Sequence, residues 1–276
     1  MSSHRCQQLH PRVTGAVLLS PRFRRLRTVC RDRRAQGAGG VSGDARHAVL
    51  AAALEGVCAR IESATRAVGR LPHDVTLVVV TKSWPVSDIR ALHELGVRDF
   101  AENKHQEAES KAADTAELDL HWHFVGQIQS NKATRIASYP DMVHSVDSVR
   151  VAQRLDAGAS SHDREIDCLV QVSLDEEVSR GGRGGVAWGE LETVAAALDG
   201  AGALRLAGVM GVAPPGGDAI SAYDRLSQAS RIVRAISASA TIVSAGMSGD
   251  FEDAIRAGAT HVRVGSAILG QRPALR

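Results

Sequence analysis

The chain has 276 residues, 44% of them hydrophobic, which suffices for one large core and suits a single α/β domain. No apolar run approaches the ~20 residues of a bilayer crossing, so a membrane protein is excluded at this level. The four cysteines, Cys6, Cys30, Cys58 and Cys168, form no CxxC pair and no zinc spacing; they read as free thiols in a reducing cytoplasmic compartment.

The net charge of +2 hides an asymmetry, because residues 1–43 carry nine arginines against Asp32 alone. The expectation is a basic, disordered tail (1–43) on an acidic domain (44–276), with 36–43 as a flexible linker. Such a tail also suits a nucleic-acid arm or a targeting peptide, but it lacks a sustained apolar segment, and nucleic acid is not the expected partner.

After the tail, Leu50, Leu54, Val57, Ile61, Ala64 and Val68 recur at helical spacing and predict an amphipathic opening helix. Strand-like segments then alternate with helical ones: 75–81, 97–101, 120–126, 142–146, 166–173, 204–212, 240–246 and 260–265. Eight such units after one helix predict a single-domain (β/α)8 TIM barrel with an additional N-terminal helix, rather than an open doubly wound sheet.

In such barrels chemistry sits where strands end. Lys82 follows the first strand. The chain has only four lysines, Lys82, Lys104, Lys111 and Lys132, among 33 basic residues, and arginine cannot form an imine. A desolvated lysine there is poised to attack an aldehyde or ketone, although a lysine at a strand end also simply reaches for solvent. Glu102 and Asn103 end strand two, His123 strand three, Ser145 and Asp147 strand four, and Met210 strand six.

The last two strands end in small-residue turns, Gly246-Met247-Ser248-Gly249-Asp250 and Gly265-Ser266. Either alone reads as a helix cap; together on adjacent strands they favour a phosphate site. His121 and His123 share a strand face without a third ligand near in sequence, so no metal is expected. No G-x-S-x-G elbow supports a hydrolase.

The stretches VVVTK, FAENKHQE, HWHFVGQIQSNK, HSVDS, LAGVMGV and SAGMSGDFEDAIRAGATHVRVGSAILGQR resemble the pyridoxal-phosphate homeostasis proteins over nearly all of 44–273. That family is similar to the barrel domain of alanine racemase. The resemblance implies a pyridoxal 5'-phosphate cofactor carried as a Schiff base on Lys82, with Asn103 and His123 lining the ring. It implies that Ser248, Gly246, Met247, Gly265 and Ser266, with Ser244, hold the phosphate, and that Arg263 faces the pyridine nitrogen. Departures from the family pattern fall at Ala101, where glycine is usual, at Lys104 and His105, which replace a bulky pair, at Ser173, where asparagine is usual, and at Arg180, where lysine is usual.

An arginine facing the ring nitrogen makes the cofactor a weak electron sink. The chain ends just after the eighth unit, and neither Tyr139 nor Tyr223 reads as a second base. The expectation is therefore a monomeric, non-enzymatic carrier in vitamin B6 homeostasis that hands the cofactor to pyridoxal-phosphate-dependent apo-enzymes. The alternatives are an amino-acid racemase or lyase using the same lysine, and a lysine-dependent aldolase.

Overall fold

Eight parallel strands pair in chain order and close on themselves, the last against the first. They are β1 (Thr76–Val80), β2 (Asp99–Glu102), β3 (His121–Phe124), β4 (Met142–Val146), β5 (Ile166–Gln171), β6 (Leu204–Met210), β7 (Ile242–Ser244) and β8 (His261–Val264). This is a computed structural model, and it describes residues 43–175, 184–214 and 216–271. The expected (β/α)8 barrel with its extra N-terminal helix is what the chain forms. Most of the basic tail and the segment around Arg180 lie outside the described residues.

The helices are α1 (Gly43–Ala67), α2 (Val86–Glu94), α3 (His105–Asp114), α4 (Ala133–Ile136), α5 (Val149–Ser161), α6 (Leu191–Asp199), α7 (Ala219–Ile236), α8 (Phe251–Arg256) and α9 (Ser266–Leu269). Leu50, Leu54, Val57 and Ile61 bury the predicted stripe of α1, which lies against α2, α8 and α9 and so covers the seam where the barrel closes. Val68 departs from the stripe. The helix stops at Ala67, the chain turns through Gly69 at φ 71°, and Val68 is left exposed. Among the described residues no helix is long and apolar enough to cross a membrane.

Strand alternation sorts side chains between two cores. Phe100, Trp122, Phe124, Cys168, Val170, Val262 and Val264 belong to the layer beneath the helices, where Cys58 is buried as well. Inside the barrel, Met142, Leu169, Ala207, Met210 and Ile242 form a separate apolar cluster. Much of the rest of the interior is polar, with Asp99, His123, His144, Ser244, His261 and Arg263 all buried. That second lining positions the site.

Candidate functional site

The turn after β1 carries Lys82, half-buried, between two anchored neighbours. Before it, the Thr81 hydroxyl donates to Glu102 Oε1 at 2.7 Å and the Thr81 carbonyl accepts from Lys111 Nζ at 2.8 Å. After it, Ser83 adopts φ 68°, a conformation that costs a residue with a Cβ about 1 kcal/mol or more, and its N–H donates to Glu107 Oε1 at 2.6 Å. Lys111 joins both carboxylates, at 2.7 Å from Glu102 and 2.6 Å from Glu107.

Glu102 lies on the same strand face as Phe100, under α3. It therefore braces the Lys82 turn from outside rather than lining the barrel mouth. Burial pushes its carboxyl above the ordinary range against the pull of Lys111 and Thr81. Burial also pushes Glu107 up, but the Lys111 and Ser83 hydrogen bonds outweigh it and the net shift is downward.

The glycine turns at the ends of β7 and β8 are physically joined, since Ser248 Oγ accepts from Ala267 N–H at 3.2 Å. Gly246 adopts φ 86°, and a Cβ there would meet Phe251 Cα at 2.7 Å, so glycine is required on two counts. A Cβ on Gly265 would stand 3.0 Å from the Val80 carbonyl oxygen, which brings this turn beside the end of β1. Met247 is exposed, and its N–H already donates to Asp250 Oδ1 at 2.6 Å. Ser248 is half-buried and Ser266 is exposed at the start of α9.

Arg263 pairs in register with Val78 of β1 and is buried in the interior. Its guanidinium donates through Nη1 to Ser244 Oγ at 2.6 Å and through Nη2 to the Gly211 carbonyl at 2.9 Å. Burial lowers its pKa to about 10, which leaves it charged at neutral pH. Ser244 thus engages Arg263, and on its other side His144 Nδ1 at 2.9 Å.

Both ring nitrogens of His123 are used inside the barrel, Nδ1 on His144 Nε2 at 2.9 Å and Nε2 on Asp99 Oδ1 at 3.1 Å. His121, on the same strand face as expected, also approaches Asp99, at 3.5 Å. Among the described residues no three His, Cys, Asp or Glu side chains group to hold a metal ion. Asp99 and His144 were not singled out from sequence. The clue available was parity, since each stands on the strand face that its neighbours' alternation turns inward.

Three features suit an aldehyde-bearing aromatic phosphate. Asn103 Oδ1 and Ser145 Oγ, both at strand ends, are buried with no hydrogen-bond partner among the described residues, and such atoms are costly unless a ligand or water meets them. The joined glycine turns leave backbone room for an anion. Lys82 supplies an amine two residues past the end of β1. These residues fit pyridoxal phosphate.

The two tyrosines are both held protonated by their surroundings. Tyr223 donates to Asp250 Oδ2 at 2.6 Å, and burial together with that bond raises its pKa far above the ordinary value. Burial does the same to Tyr139, stacked beside His105.

The sequence model of the alanine racemase N-terminal domain matches residues 58–273. A protein of Mycobacterium leprae named pyridoxal phosphate homeostasis protein is 37% identical over 240 residues, covering 82% of this chain and 93% of its own. PipY of Synechococcus elongatus, whose structure was solved with PLP bound, superposes with a TM-score of 0.69 at 31% identity, covering 80% of this chain and all of its own. A protein of unknown function from Bifidobacterium adolescentis superposes with a TM-score of 0.75 at 28% identity, covering 84% of this chain and 98% of its own. The length of these matches and the shared barrel leave one assignment: the chain belongs to the pyridoxal phosphate homeostasis protein family, on the alanine racemase N-terminal fold.

Proposed function

We propose that this protein binds pyridoxal 5'-phosphate through Lys82 and serves as a carrier that buffers the reactive aldehyde and passes it to apo-enzymes. The observation that carries the reading is the placement of Lys82 on a braced turn at the end of β1, next to the glycine turn at Gly265, with a buried Arg263 on the neighbouring strand. Lys82 would hold the cofactor through its amine, which can condense with an aldehyde and release water. Backbone N–H groups and the hydroxyls of Ser248 and Ser266 would hold the phosphate, Asn103 would border the ring, and Arg263 would meet the ring nitrogen.

Bound in this way, the cofactor would offer a conjugated ring able to delocalise negative charge. The residues present do little to exploit it. A guanidinium that stays charged does not hand a proton to the ring nitrogen, and both phenols are held protonated by burial. The carrier reading therefore stands ahead of a racemase or lyase.

Borohydride reduction of the protein incubated with pyridoxal phosphate, followed by peptide mass spectrometry, tests the assignment. The pyridoxyl mass is expected on Lys82 and absent in Lys82→Ala, whereas Lys132→Ala retains it. Attachment elsewhere or nowhere overturns the lysine assignment. Sustained conversion of alanine or serine by the loaded protein overturns the carrier role.

A further inference from the structure

A row of buried hydrogen bonds crosses the barrel from its N-terminal end to the site. Asp99 and His121 open β2 and β3, and His121 keeps about a third of its side chain in contact with solvent. From Asp99 the contacts run to His123 at 3.1 Å, to His144 at 2.9 Å, to Ser244 at 2.9 Å and to Arg263 at 2.6 Å. The five residues come from β2, β3, β4, β7 and β8, so the row exists only in the closed barrel.

We infer that Asp99, His123 and His144 are positioning residues for Arg263, acting through a hydrogen-bond chain that has one direction. The ends impose it. Arginine only donates, and an ionised carboxylate only accepts. Burial raises the Asp99 carboxyl, but its bonds to His121 and His123 prevail and hold it ionised well below the usual range.

Accepting at Asp99 places a hydrogen on His123 Nε2. His144 is neutral, because burial first and then the neighbouring His123, Arg263 and His261 disfavour its charged form. Where each ring carries one hydrogen, the bond between them has one solution: His144 Nε2–H donates to His123 Nδ1. His144 Nδ1 is then bare and accepts the Ser244 hydroxyl hydrogen, while a lone pair of Ser244 Oγ receives Arg263 Nη1–H.

Each donor in such a row is polarised by the next, and the row ends on a full negative charge, which strengthens Ser244 as an acceptor. Two of the guanidinium nitrogens are thereby tied, one to Ser244 and one to the Gly211 carbonyl, and the plane of Arg263 is fixed before any ligand arrives. The opposite direction requires a second hydrogen on His123 Nδ1, that is, an imidazolium. It then reverses every bond as far as Ser244.

The chain is a property of the ligand-free protein; its effect on the cofactor rests on the function proposed above, and two experiments keep these apart. In ligand-free protein at about pH 8, long-range 1H–15N spectra of histidine are expected to show His123 and His144 as neutral Nε2–H tautomers. In Ser244→Ala, the nitrogen signals of His144 and also of His123, two bonds along the row, are expected to move, and Ser244→Thr is expected to restore them. A charged His123, an Nδ1–H His144, or a His123 unaffected by Ser244→Ala overturns the chain.

The second experiment titrates pyridoxal phosphate into wild type and Asp99→Asn. An affinity loss of about 2- to 10-fold, the worth of one modest hydrogen bond, with a displaced visible band, is expected. An unchanged affinity and band in a folded Asp99→Asn protein overturns the positioning role. Absence of pyridoxal phosphate binding in the wild type refutes the proposed function instead, and leaves the tautomer result to stand or fall alone.

Discussion

Lys111 Nζ lies 2.7 Å from Glu102 Oε1, with the ammonium almost entirely buried and the carboxylate wholly so. The same nitrogen reaches Glu107 and the carbonyl of Thr81, so one cation on α3 holds both sides of the turn that presents Lys82. Removing it leaves two carboxylates facing each other without a counter-charge. Lys111→Met is expected to destabilise the fold by about 3–5 kcal/mol, as breaking a buried pair typically does, measured by urea denaturation. If the variant remains folded, slower attachment of the pyridoxyl group to Lys82 is expected in the borohydride assay.

Acid should destabilise the protein through its interior histidines. Burial lowers His261 to about 4 and holds His144 well below its ordinary value, so both are neutral when folded. Their contribution is complete above the unfolded pKa near 6.5. As pH falls from there towards 4, the unfolded chain takes up protons that the folded chain refuses, and stability drops, by roughly 3 kcal/mol for His261 at the lower end. Denaturation curves at about pH 7.5, 5.5 and 4.5 measure this. His261→Gln is expected to flatten the dependence.

Gly246→Ala combines a φ of 86° with a Cβ 2.7 Å from the backbone of α8, so the turn must shift. The strain alone is on the order of 1–2 kcal/mol, and displacement of the turn is expected to abolish tight pyridoxal phosphate binding in a titration. Gly249→Ala, three residues on in the same turn, points its Cβ into open space and is expected to bind as wild type does.

Arg263→Ala leaves Ser244 Oγ and the Gly211 carbonyl without their donor in a dry interior. Weaker retention of the cofactor is expected in dialysis, with a loss of about 1–3 kcal/mol in stability. Attachment to Lys82 after borohydride reduction is expected to persist.

All eight strands were legible, because each strand-like segment leads into a helical or glycine-rich turn segment, and the order of a parallel barrel follows from that alternation. The glycine turns after β7 and β8 were legible for the same reason, since their spacing is local. The bracing of Lys82 was not. Glu102 and Lys111 stand nine residues apart on different elements, and only the packing of α3 on β2 makes them partners.

The row from Asp99 to Arg263 was hidden for a related reason. Period-two alternation puts His121 and His123 on one face, but nothing in the sequence pairs His123 with His144 or Ser244 with Arg263. Those meetings depend on strand stagger around the closed barrel, as when Ser244 falls level with His261 across β7 and β8.

The apolar stripe of α1 packs on α2 from the first unit and on α8 and α9 from the last two. During synthesis this helix precedes every strand, yet its docking is complete only once the final segments have been made. Until then Leu50, Leu54, Val57 and Ile61 stay open to solvent on the nascent chain, a sticky surface of the sort that trigger-type chaperones shelter at the ribosome exit. The helix that covers the seam of the finished molecule is thus open to aggregation while the rest is being made.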